Sequence, residues 1–140
     1  MIVCDTSGLL AFYDTSSPQN AAARGVFEQD EGPYLVSPLV LAELDYFLLT
    51  RLGSAVELTV LRDVTGGAYV IAEFDHAVAT EATSLAERYS DMELGLTDAS
   101  IAVIAARHHT VNVLTLDERH FRAVRPLWGK AFKLLPADAG

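Results

Sequence analysis

This chain of 140 residues has one cysteine, no long apolar run and about half as many basic as acidic side chains. Each scarcity excludes something. Cys4 alone cannot form an internal disulfide, and its place in an apolar segment predicts a buried free thiol in a reducing compartment, the cytoplasm. No apolar stretch reaches the ~18 residues that a membrane span requires. Met1 leads directly into Ile2-Val3-Cys4, so no signal peptide is expected. Ten Lys and Arg against nineteen Asp and Glu give a net charge of −9, which opposes non-specific binding to nucleic acid. No glycine-rich phosphate loop is present: Gly66-Gly67 is an isolated turn. No G-x-S-x-G elbow occurs. One cysteine cannot build a thiolate zinc site. The histidines, His76, His108, His109 and His120, show no i,i+4 pair with a third ligand, and His108-His109 reads as a helix C-terminal pair.

What is present reads as one α/β domain. The apolar fraction is 51% and the charged fraction 21%, enough for a real core at a one-domain length. Ile2 to Asp5 reads as a short buried strand, Leu9 to Asp14 as the start of a helix, and Ser17-Pro18 as the cap and first residue of a helix to about Gln29. Tyr34-Leu35-Val36 is a strand. Ser37-Pro38 repeats the cap signal before a helix over Leu39–Leu52, and Ser54 caps the next one, to about Val64. Ala68 to Ala72 is a strand, and Asp75 starts a helix to about Tyr89. Ala131 to Leu135 is a last strand. Residues 1–135 are expected as the single domain and 136–140 as a frayed tail. Strands alternating with helices predict a mostly parallel sheet covered on both faces.

The stretch from Leu94 to Phe121 organises the rest. A helix from Asp98 to about His109 is on the order of 18 Å long, and the strand Val111–Leu116 about 20 Å. The helix therefore returns into the strand with Asp98 and Asp117 on one edge, the carboxyl edge, where open α/β sheets bind ligands. Asp5, at the end of the first strand, falls on that edge too.

Each acid has an ordinary reading. Asp5 suits a turn or N-cap, Asp98 the favourable first turn of a helix, and Asp117 the N-cap before Glu118-Arg119-His120-Phe121. Glu43 is different. Its helical neighbours are Leu39, Val40, Tyr46 and Phe47, so it is expected to be at least partly buried, and Arg51 is two turns away. Asp45, on another face, is expected to be solvated. Four acids from four segments repel one another unless a cation sits among them, and oxygen-only ligands select Mg²⁺ or Mn²⁺. Residues 119–140 add the basic side chains Arg119, Arg122, Arg125, Lys130 and Lys133 against Asp138 alone. That end is either a solvated surface or a guide for a phosphate backbone.

Asp5-Thr6-Ser7, Glu43 in the Pro38 helix, Leu96-Thr97-Asp98-Ala99 and Leu114-Thr115-Leu116-Asp117 resemble the signature of the PIN-domain family, most closely its VapC-type toxins of bacterial toxin–antitoxin pairs. The resemblance spans nearly the whole chain in order and spacing. It implies a three-layer α/β/α sandwich around a short, mostly parallel sheet and a Mg²⁺- or Mn²⁺-dependent endoribonuclease. It implies that Asp5, Asp98 and Asp117 hold metal, with Glu43 acting directly or through water, and that Ser7 and Thr115 support the cluster. Homodimers and a small cognate VapB-type antitoxin are implied as partners. Arg119, Arg122 and Arg125 are candidates for holding flanking RNA backbone. Two alternatives stay open: an inactive PIN-like module that binds RNA or protein, and an Asp-phosphorylated receiver- or phosphatase-like domain. The second is disfavoured by Ser7, which stands where a phosphatase would want a second acid.

Overall fold

The computed structural model describes residues 1–140. Five short strands, β1 (Ile2–Cys4), β2 (Tyr34–Val36), β3 (Val70–Ile71), β4 (Asn112–Leu114) and β5 (Lys133–Leu135), form one sheet in the order β3-β2-β1-β4-β5. Every pairing is parallel, with Val3 opposite Leu35 on one side and Val113 on the other. β1 is central and fully buried, as a continuous Ile-Val-Cys run requires when both faces are covered.

Seven helices connect the strands: α1 (Thr6–Tyr13), α2 (Asn20–Gln29), α3 (Pro38–Phe47), α4 (Ser54–Thr65), α5 (His76–Arg88), α6 (Leu96–Arg107) and α7 (Glu118–Ala123). The right-handed crossover rule puts α1–α4 on one face and α5–α7 on the other, because the chain moves outward from β1 to β3 and then crosses back to β4. The packing agrees: α1 lies against α2 and α3, and α5 lies along α6. This is the three-layer α/β/α arrangement. α6 is buried on every side from Ala99 through Ala105, which explains its apolar composition all round. No helix is long and apolar enough to cross a membrane.

The chain reverses its direction of growth between β1 and β4. That is the topological switch point, and the crevice outside the strand ends there is the place where such sheets hold ligands. Gly8 allows the crevice to close tightly. A Cβ on Gly8 would lie 2.7 Å from the Leu114 carbonyl oxygen, so only glycine lets the first turn of α1 sit against the end of β4.

Several boundaries differ from expectation. Ser17-Pro18 does not start α2. Ser17 instead forms a turn whose carbonyl accepts from Asn20 N, and the Asn20 amide donates to the Ala11 and Phe12 carbonyls, satisfying the end of α1. Ser37 caps α3 as expected, accepting from Leu39 N at 3.2 Å. The α-helix ends at Phe47, however, and continues as a π-helical turn over Leu48–Leu52, closed by Gly53 N donating to the Leu48 carbonyl at 3.0 Å. Ser54 lies inside α4, and Gly53, at φ +90°, takes the cap position. Asp75 caps α5 through Val78 N. β4 is shorter than Val111–Leu116, although Thr115 N still donates to the Leu135 carbonyl. The expected frayed tail is tied down. Asp138 accepts from both Arg122 amino groups at 2.7 and 2.9 Å and from Leu134 N at 2.8 Å. Its carboxyl is held at about 2, chiefly by Arg122.

Candidate active site

Asp5 leaves β1 and caps α1. Its 5% exposure is compensated by three donors: Thr6 N at 2.8 Å on one oxygen, and the Ser7 and Thr115 hydroxyls at 3.0 and 2.7 Å on the other. Burial pushes its carboxyl up, and these hydrogen bonds pull against that shift. With both hydroxyl protons pointing at Asp5, Ser7 Oγ remains free to accept from Leu116 N at 2.9 Å, and Thr115 Oγ1 from Asp117 N at 2.9 Å. The predicted supporting residues thus stitch the end of β1 to the segment after β4.

Asp117 caps α7, with one oxygen accepting from His120 N at 3.0 Å. Its other oxygen is 2.6 Å from His120 Nδ1, which also lies 3.7 Å from Asp98 Oδ2. His120 Nε2 meets the Met92 carbonyl at 3.1 Å. A carbonyl can only accept, so Nε2 carries a proton, and a carboxylate at Nδ1 favours a second. Asp117 is the main cause of a raised His120 pKa. His120 is thus held between two acids, which favour its charged form. Asp98 sits in the first turn of α6. Burial, then the charges of Asp5 and Asp117, push its carboxyl up to about 7, with His120 partly opposing.

Glu43 corrects the expectation of burial. It is exposed: Val40 on one side of it is buried in the core, but Tyr46 on the other is 63% exposed, so Glu43 stands at the rim of the covered face. Asp45 is corrected the other way. It is half-buried, one of its carboxylate oxygens has no hydrogen-bond partner, and it faces Glu57. The neighbouring Asp45 carboxylate raises the pKa of Glu57.

Asp5, Glu43, Asp98 and Asp117 line one cleft of about 460 Å³, so all four predicted acids meet. The α3 side of the cleft is fixed to the α6 side by serines that sequence reasoning passed over. Ser37 Oγ lies 2.9 Å from Ser100 Oγ, and Ser100 donates to the Thr97 carbonyl at 2.6 Å. His120 was passed over as well, although a histidine three residues after an N-cap aspartate falls on the cap's own side of the helix. Arg122 pairs with Glu118 and Asp138 on the exposed surface and does not line the cleft. Arg119 and Arg125 are exposed and do not line the cleft.

The donor set fits a hard divalent cation. Four carboxylates face one space without a thiolate, and carboxylate oxygens of Asp98 and Asp117 lie within 4.8 Å of one another. The rise at Asp98 comes first from its burial and then from the charges of the acids packed beside it.

A family model described as the PIN domain matches residues 2–126. The chain belongs to the PIN-domain family. It is 41% identical to Ribonuclease VapC26 of Mycobacterium tuberculosis, over 96% of this chain and 100% of that protein, so its kinship is with the VapC-type members. The PIN fold is shared with more distant solved structures. The Mycobacterium tuberculosis VapC20 toxin, described as cleaving the sarcin–ricin loop, superposes with a TM-score of 0.78 at 18% identity, covering 85% of this chain and 92% of that one. A DNA-bound VapBC complex from Salmonella typhimurium gives 0.71 at 19% identity, covering 95% and 96%. Membership of this family removes the receiver- or phosphatase-like alternative.

Proposed function

We propose that the chain is a Mg²⁺- or Mn²⁺-dependent endoribonuclease, the toxin of a toxin–antitoxin pair, hydrolysing RNA phosphodiester bonds at Asp5, Glu43, Asp98 and Asp117. The observation that carries this reading is the meeting of all four acids in one cleft at the switch point of the sheet. Kinship with a protein named a ribonuclease supports the reaction class.

Asp5, Asp98 and Asp117 would hold the cation, and Glu43, on the open wall, would act directly or through water. When bound, the ion supplies positive charge against the scissile phosphate and a more acidic water to attack it. Ser7 and Thr115 keep both Asp5 and the backbone before Asp117 in place. His120 orients Asp117 and holds a proton within reach of Asp98. Metal binding requires ionised carboxylates, so it competes with the proton that Asp98 otherwise retains near neutrality. The cation also offsets the repulsion between RNA and a chain of charge −9.

We infer a VapB-type antitoxin and a homodimer as partners, with the cytoplasm as the compartment. Solved VapBC complexes whose toxin chains share this fold support the first. Exposed apolar side chains on α3, the π turn and α4, namely Tyr46, Leu49 and Leu58, suit protein contact.

The test is incubation of the purified protein with total cellular RNA, with Mg²⁺ or Mn²⁺ or with chelator, beside Asp98→Asn. Discrete cuts made only by the unaltered protein with metal are expected. Cutting by Asp98→Asn at the same rate would overturn the site. Metal binding without cleavage of any RNA would leave the inactive binding module.

A further inference from the structure

The four acids raise a difficulty for any RNA that enters the cleft. A divalent ion neutralises the phosphate it touches, but the neighbouring phosphates meet a carboxylate-lined wall. Arg107 and Arg122 are occupied in ion pairs. One basic side chain lines the acid cleft, and it is Arg51.

Arg51 also lines a second cavity of about 270 Å³ and shares Ser7 and Leu10 between the two. The second cavity is also lined by Leu116 and Ala11 and by none of the four acids of the first. Its one acid, Asp14, is already engaged by Ser16 N and Oγ. Arg51 thus stands where the two spaces meet. It makes no ion pair, although four acids line the same cleft. Phe47 explains why: the guanidinium lies 4.4 Å from the centre of that ring. A guanidinium stacked on an aromatic face keeps its in-plane donors free for a bidentate acceptor. The π-helical turn carries Arg51, and such turns recur at functional sites.

We propose that Arg51 grips the phosphate adjoining the scissile one and that the second cavity takes the nucleotide attached to it, in single-stranded RNA. This inference rests on the nuclease reading of the acid cleft. Arg51 is a substrate-positioning residue: it holds the strand on the near side of Leu10 while the acids act on the next phosphate. A solvated arginine on a helix surface would do none of this.

The experiment compares the unaltered protein with Arg51→Ala, Arg51→Lys and Phe47→Leu. Arg62→Ala removes a charge that lines neither cavity. Two readouts are taken: anisotropy of a labelled random-sequence 12-nucleotide RNA on the Asp98→Asn background with Mg²⁺, and steady-state cleavage of a substrate carrying a mapped cut site. Arg51→Ala is expected to raise Kd and KM about tenfold, consistent with one charge-assisted contact, with kcat within about threefold. The slope of log K against log salt should fall by about 0.7. Arg51→Lys should recover the salt slope but only part of the affinity, Phe47→Leu should fall between, and Arg62→Ala should change nothing. Equal Kd, KM and salt slope with and without Arg51 overturn the proposal alone. So does unchanged RNA binding with weakened antitoxin binding, which would assign Arg51 to the protein partner. If the protein with Arg51 intact neither binds nor cuts RNA, the nuclease reading itself fails and the proposal with it.

Discussion

The two walls of the acid cleft are built differently. The wall made by β1, β4 and the caps of α1 and α7 is dense: Asp5 and Thr115 are buried, and hydrogen bonds run from Leu116 N through Ser7 to Asp5 and from Asp117 N through Thr115 to the same oxygen. The wall made by α3 and the π turn is open. Glu43 and Arg51 are exposed there, and neither makes an ion pair. A fixed wall preorganises carboxylates for a cation whose geometry tolerates little error. An open wall admits a polymer. The division predicts that damage to the first wall costs stability and activity together, while damage to the second costs activity alone.

The largest effect is expected at Asp5. In Asp5→Asn, one amide position must face Thr6 N or the two hydroxyls, all of which now donate to a carboxylate. Loss of a buried acceptor costs about 1–3 kcal/mol, and cleavage should fall on the order of 10³-fold because several kcal/mol of charge stabilisation goes with the metal. Asp98→Asn should lose as much activity but none of the stability. Equal melting temperatures for the two variants would erase the distinction between the buried and half-buried acids.

Thr115→Val comes next. It removes the donor to Asp5 and the acceptor for Asp117 N in one step, keeping the shape. Metal affinity should drop about 10- to 100-fold, the usual cost of losing a group that orients a ligand. Isothermal titration with Mn²⁺ reads this directly. An unchanged affinity would mean that these hydrogen bonds serve folding and not the metal.

The pH dependence of the metal-free protein sharpens the same contrast. Asp98 has a folded pKa of about 7, above its unfolded value near 4. The folded state therefore binds the extra proton, and stability falls as pH rises from about 4 through 7. His120, also raised, adds stability below its unfolded value near 6.5 that is lost as pH rises through the folded value. Both act in one direction. In chelator, the melting temperature should be several degrees lower at pH 8 than at pH 5.5. With Mg²⁺ or Mn²⁺ the difference should shrink or reverse, because the cation takes the place of the proton. A chelated protein that melts higher at pH 8 would show that the acids do not strain the cleft.

The dense wall was largely legible in the sequence, and the open one was not. Asp5, Asp98 and Asp117 stand at strand ends or helix starts, so strand and helix lengths alone bring them to one edge. Thr115 and Ser7 followed from the family resemblance. Glu43 was found by position but misjudged in burial, because local periodicity identifies an apolar face without saying whether anything covers it. Here Val40 is covered and Tyr46 is not, and Glu43 lies at the boundary between them. Asp45 was misjudged for the same reason, since only the packing of α4 brings Glu57 to it. The i,i+3 spacing of His120 to Asp117 was available in the sequence, but its approach to Asp98 and the Ser37–Ser100 contact join residues 22 and 63 positions apart, and no periodic signal spans such distances.

The smallest effect is expected at Glu43, and it is the most informative about the open wall. Glu43→Gln keeps size and hydrogen-bonding capacity and removes one charge from an exposed site. Its folding cost should lie within about 0.5 kcal/mol, as for ordinary surface changes. Activity should fall about tenfold if Glu43 reaches the cation through water, and by two further orders if it binds directly, because a direct ligand cannot be replaced by a neutral amide without loss of metal. Raising the Mn²⁺ concentration separates the cases. A water-mediated carboxylate leaves a rate deficit that persists at saturating metal, since what is lost is the orientation of a water. A direct ligand leaves a deficit that shrinks as metal is added, since what is lost is occupancy. Full activity in Glu43→Gln at every metal concentration would remove Glu43 from the site and leave the dense wall as the whole of the catalytic centre.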